Sequence, residues 1–93
     1  MQPEDLKTFL AQVRALRRRS DDDAVRMPCE HIIGNIKLLL GKRRGDRNLE
    51  AMLRRNVAGL ERALLGKRPD DEPFLLNWRT YLDRDQSPSP AAP

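Results

Sequence analysis

Residues that carry covalent chemistry are scarce in this sequence. It holds one His, one Cys, two Thr and three Ser, and two of those Ser, Ser87 and Ser89, fall near the C-terminal end. Cys29 and His31 are the only thiol and imidazole. At a two-residue helical spacing they point roughly 200° apart, outside the hydrogen-bond reach that a thiolate–imidazole pair needs. Cys29 falls on an apolar stripe and reads as a small buried hydrophobe. Cys29, Glu30 and His31 supply no complete ligand set at a spacing that zinc uses. There is no GxGxxG or GxxxxGK[ST] loop, and Gly41-Lys42-Arg43-Arg44-Gly45 resembles a phosphate loop only in composition. The residues therefore predict a non-enzyme with no catalytic set, no cofactor and no metal.

Other scarcities narrow the setting. No apolar run approaches the ~18 residues that would cross a bilayer, so no membrane partner is expected. The opening MQPEDLKTFL begins with acids and lacks a basic region followed by an apolar run, so it does not read as a secretory signal. A lone Cys cannot form an internal disulfide, which fits a reducing compartment and a cytoplasmic protein. Two Phe, one Tyr and one Trp leave no aromatics interleaved with bases for stacking on single-stranded nucleic acid.

Helical periodicity, by contrast, is plentiful. The chain of 93 residues is organised around Cys29 to Leu65, CEHIIGNIKLLLGKRRGDRNLEAMLRRNVAGLERALL. Cys29, Ile32, Ile33, Ile36, Leu39 and Leu40 recur at three- and four-residue steps. Leu49, Met52, Leu53, Val57, Leu60 and Leu64 do the same, so each arm has one face to bury. Gly41 suits a left-handed residue just past a helix end, and Asp46 suits the N-cap of the next helix. The pattern predicts a helical hairpin.

Ahead of it, Pro3, Glu4 and Asp5 suit a first helical turn, and Leu6, Phe9, Leu10, Val13 and Leu16 trace a stripe that should end in Arg17-Arg18-Arg19. Ser20 to Asp23 form a cap-rich turn. The second helix either starts near Asp22 and is disturbed at Pro28 or starts at Pro28; Val25 continues the stripe backwards and favours the first. The third should run from about Arg47 to Leu65, with Gly59 inside it at a cost of roughly 1 kcal/mol against Ala. Ala58 and Gly59 beside Val57 and Leu60 suggest a close helix crossing, or a close approach by something else. Gly66 to Pro69 stop the helix, and a short fourth begins at Asp70 or Asp71, with Phe74, Leu75, Trp78, Tyr81 and Leu82 as its apolar face, closing the open side of the hairpin. Residues 1–85 thus form one all-α domain, a three- to four-helix antiparallel bundle, and the Pro/Ser/Ala-rich tail 86–93 is expected to be disordered.

The net charge of +4 invites a nucleic-acid reading. Its placement argues for helix capping instead: acids gather at helix starts and bases at helix ends, where each offsets a helix dipole. A small basic nucleic-acid-binding regulator using Arg17–Arg19, Lys42–Arg44 and Arg47 stands as the alternative. A homodimer completing its core with a second copy is a third reading. The mixed rows on the second and third helices, His31, Asn35, Arg54, Arg55, Asn56, Glu61 and Arg62, suit directional polar contacts with a protein. So does the acidic segment Asp70, Asp71 and Glu72.

The order of these segments resembles a family. An amphipathic first helix, a long helix ending IKLLLGKRRGDR, the Gly-containing LEAMLRRNVAGLERALL and the acidic, Pro-containing DDEPFL span roughly Glu4 to Leu76. This is similar to the small all-α immunity proteins that neutralise NAD(P)-directed or ADP-ribosyltransferase-like toxins delivered by type VI secretion. The resemblance implies a cytoplasmic inhibitor that binds one cognate toxin or effector domain and occludes its active site. Proteins that plug nucleotide-binding clefts are often acidic, and the charge of +4 departs from that pattern. It calls for an acidic partner surface, or for reliance on local acidic segments such as Asp70-Asp71-Glu72.

Overall fold

The computed structural model describes residues 2–65, 75 and 77–81, and these are all-α, with three long helices, α1 (Pro3–Arg19), α2 (Asp23–Leu40) and α3 (Arg47–Ala63). The predicted starts of all three helices hold to within a residue, as do the ends of α1 and α2. α3 ends at Ala63, short of the expected Leu65, and the expected stop at Gly66 to Pro69 lies outside the described residues. Pro3 sits in the first turn of α1, where its missing N–H costs no bond, and Arg17, Arg18 and Arg19 occupy the last. Asp22 caps α2, its carboxylate accepting from Ala24 N–H at 2.9 Å. Pro28 lies inside α2, and the helix runs through it. The carbonyl it leaves without a donor belongs to Ala24, on an exposed turn where water can take the bond.

The α2–α3 connector departs from expectation in one detail. Gly41 has φ −121°, outside the left-handed region, while Gly45 has φ +78°. The chain leaves α2 with Gly41 N–H and Arg43 N–H both donating to the Leu38 carbonyl, at 3.2 and 2.8 Å. It reverses at Gly45, one residue before the next cap. There Asp46 does two jobs. Its Oδ1 accepts from Leu49 N–H at 3.1 Å, and its Oδ2 accepts from Arg43 Nε at 2.8 Å and from Arg43 Nη2.

α2 packs against both α1 and α3. One core joins them: Phe9 and Val13 from α1, Val25, Cys29, Ile32 and Ile36 from α2, and Leu53, Val57 and Leu60 from α3 are fully or almost fully buried. Burying each large apolar side chain favours the fold by roughly 1.5–3 kcal/mol. Leu75, Trp78 and Tyr81 join the same core, and residues 77–81 are helical. Trp78 stacks on Phe9 with ring centroids 4.9 Å apart, and Gln12 Nε2 donates to Asn77 Oδ1 at 3.2 Å, so this segment lies on α1. The expected helix start at Asp70 or Asp71, Phe74 and Leu82 of its face, and the tail 86–93 lie outside the described residues.

Two expectations from periodicity fail. Met52, counted with the buried stripe of α3, is 45% exposed. Among the described residues Gly59 marks no close helix crossing, since a Cβ built there would meet only Arg62 Nη2 at 4.0 Å.

Candidate functional site

A helix buries its apolar stripe in the core and leaves two flanks, and where α2 meets its neighbours those flanks form two grooves. The α2–α3 groove, about 680 Å³, is lined by His31, Gly34, Asn35, Leu38, Met52 and Asn56, with Glu30 and Lys37 at its edge. Its floor is polar. Asn35 is 8% exposed and sits among the apolar core residues of α2, and Asn56 Nδ2 donates to its Oδ1 at 2.6 Å. An amide buried without that partner would cost about 1–3 kcal/mol. The rims are apolar and open, with Leu38 43% exposed opposite the exposed Met52.

Gly34 is the dent in this surface. Nothing lies within 4 Å of a Cβ built there. Glycine inside a helix costs about 0.5–1 kcal/mol relative to alanine, and no part of the described chain approaches closely enough to require it. Met27, His31, Gly34 and Leu38 follow one another at steps of four, three and four, so they form a second, outward stripe beside the core stripe. Met27 is 57% exposed and Leu38 less so.

The sequence-predicted contact residues do not all meet. His31, which is exposed, Asn35 and Asn56 share the α2–α3 groove. Arg54 and Glu61 are half-buried on the other flank of α3, because residues two apart on a helix point roughly 200° from each other. Arg55 and Arg62 are exposed on its outer face. Asp70, Asp71 and Glu72 lie outside the described residues. Periodicity alone missed Gly34, Leu38 and Met52. The outward Met27–His31–Gly34–Leu38 spacing was the signal that could have found the first two.

The second groove lies between α1 and α2 and is basic. Ala11, Arg14, Arg17 and Arg18 line it from α1, and Glu30, Ile33 and Lys37 from α2, around about 660 Å³. Arg17 clamps the two helices, its Nε and Nη2 donating to Glu30 Oε1 at 3.1 and 2.7 Å. Hydrogen bonding and charge attraction from Arg17 hold the Glu30 carboxyl below the usual carboxylate range. Arg43 does the same for Asp46, with the Leu49 N–H adding to the effect.

Cys29 is buried and His31 exposed, on different faces of α2. Among the described residues no three His, Cys, Asp or Glu side chains cluster to hold a metal ion, and no helix is long and apolar enough to cross a membrane. Compared with protein-family models, with curated proteins and with solved structures, the chain matches none.

Proposed function

We propose that this chain is a non-enzymatic protein-recognition module that uses the α2–α3 groove, and that it acts in the cytoplasm as an immunity protein or antitoxin. It would bind a cognate toxin or effector domain and block the active site. The observation that carries the recognition reading is Gly34. A helix interior keeps a destabilising glycine at an open position, flanked by the exposed apolar Leu38 and Met52. An element of a partner can approach the α2 backbone there, bury both apolar side chains and use His31 for a polar contact. The inhibitory role rests on the resemblance of the sequence's segment order to that of toxin-neutralising immunity proteins.

The test is capture of a tagged chain's partner from its native cytoplasm after nuclease treatment, followed by assay of that partner. A single stoichiometric protein whose toxicity or enzymatic activity falls on adding this chain supports the proposal. Retention of nucleic acid alone contradicts it. So does a protein partner whose activity is unaffected.

A further inference from the structure

The two grooves differ in charge, and the basic one has its own chemistry. Among the described residues, Arg14, Arg17, Arg18 and Lys37 face one carboxylate, Glu30, and that carboxylate is taken by Arg17. Among the described residues no ion pair engages Arg14, Arg18 or Lys37. Their charges surround an apolar floor of Ala11 and the partly buried Ile33.

We infer that the α1–α2 groove docks an acidic protein segment that carries apolar residues among its carboxylates. Charge complementarity selects the sign of the occupant, and the floor selects its kind. A helix or extended segment presents carboxylates to Arg14, Arg18 and Lys37 while an apolar side chain covers Ile33. Arg14 and Arg18 can each hold a carboxylate bidentately. A phosphate backbone has nothing apolar to offer Ile33. Duplex recognition places a protruding helix or ribbon into the major groove, whereas this surface is concave. Single strands bind through stacking platforms, and among the described residues no aromatic side chain lines the groove. The inference rests on the protein-recognition reading and gives the partner an acidic, apolar-containing segment, complementary in sign to the chain's net charge of +4.

The test uses a synthetic helical peptide with Glu and Leu on one face, its Gln-for-Glu analogue, and a single-stranded and a duplex oligonucleotide. Each is titrated into the isotope-labelled full chain at moderate salt. The acidic peptide is expected to shift the amide signals of Arg14, Arg18, Ile33 and Lys37. The Gln analogue and the R14E/R18E variant should each weaken binding by about tenfold or more. Both substituted residues are exposed, so the helical circular dichroism of the variant should match that of the wild type.

Absence of these shifts, or shifts confined to Leu38 and Met52, would overturn the inference. Displacement of the peptide by either oligonucleotide, with oligonucleotide binding lost in R14E/R18E, would do so too and would assign the groove to phosphates. A captured protein partner that ignores R14E/R18E but needs Gly34 and Met52 defeats this inference alone. One that needs Arg14 and Arg18 but tolerates a filled α2–α3 groove defeats the α2–α3 reading alone.

Discussion

Asn56 reaches across from α3 to donate its amide hydrogen to Asn35 Oδ1 at 2.6 Å, and this bond ties the floor of the α2–α3 groove to both helices. Asn35 is buried among apolar side chains, whereas Asn56 is half-buried. The pair therefore has asymmetric dependence. Asn56→Ala leaves a buried carbonyl oxygen short of a donor and should destabilise by about 1–3 kcal/mol. Asn35→Leu combined with Asn56→Leu removes both polar partners and should cost less than the sum of the single changes. Urea unfolding of the four proteins of this cycle gives the coupling, expected at about 0.5–1.5 kcal/mol; additive losses would contradict the pairing.

Trp78 is the sole Trp, 3% exposed and stacked on Phe9. Trp78→Ala should cost about 3–5 kcal/mol, a large share of what a chain this size possesses, and should leave much of the protein unfolded at room temperature. Trp78→Phe keeps a ring on Phe9 and should lose much less. Thermal melts followed by circular dichroism distinguish the two. The wild-type Trp emission should move to longer wavelength in the same transition, because unfolding exposes that ring.

Acid should loosen the two clamps. Arg17 and Arg43 lower the folded-state pKa of Glu30 and Asp46. A carboxylate with a depressed folded value contributes stability above its unfolded value and loses that contribution as pH falls through the folded one. Stability should therefore decline on the acid side of the ordinary carboxylate range. Arg17→Gln and Arg43→Gln should flatten that decline, with little change in its shape near neutrality. Asp46→Asn keeps an acceptor for the cap but loses the charged clamp, and Asp46→Ala loses both, so stability at neutral pH should fall in the order wild type, Asn, Ala.

Gly59 offers a control for glycine. Its Cβ position is open apart from the flexible end of Arg62, and its backbone is ordinary helix. Gly59→Ala should stabilise the fold by about 0.5–1 kcal/mol, read as a higher urea midpoint at unchanged slope.

The helices were legible because each carries a core stripe at helical spacing and end signals of known chemistry. Leu6, Phe9, Val13 and Leu16 on α1 and Cys29, Ile32, Ile36 and Leu39 on α2 are buried as the spacing requires. Pro28 was ambiguous because position alone does not say whether water can serve the carbonyl it strands. Gly41 and Gly45 both bound the connector, and only the path of the chain decides which takes the positive φ. Met52 follows the three- and four-residue rule but sits at the edge of the stripe, where its burial depends on how far α2 extends over it. The grooves were least legible. Arg17 and Glu30 are thirteen residues apart, Asn35 and Asn56 twenty-one, and such pairs exist only once the flanks of α2 have been assigned to neighbours.

The most direct test of the recognition surface is the affinity of the captured partner for wild type, Gly34→Ala and Gly34→Leu, measured by calorimetry beside their unfolding midpoints. Space is open around Gly34, so both variants should fold at least as stably as the wild type. If a partner packs into that dent, Gly34→Leu should lose affinity by about a hundredfold or more, with Gly34→Ala between it and wild type. Unchanged affinity in a stable Gly34→Leu protein would contradict the account and place the partner on another face.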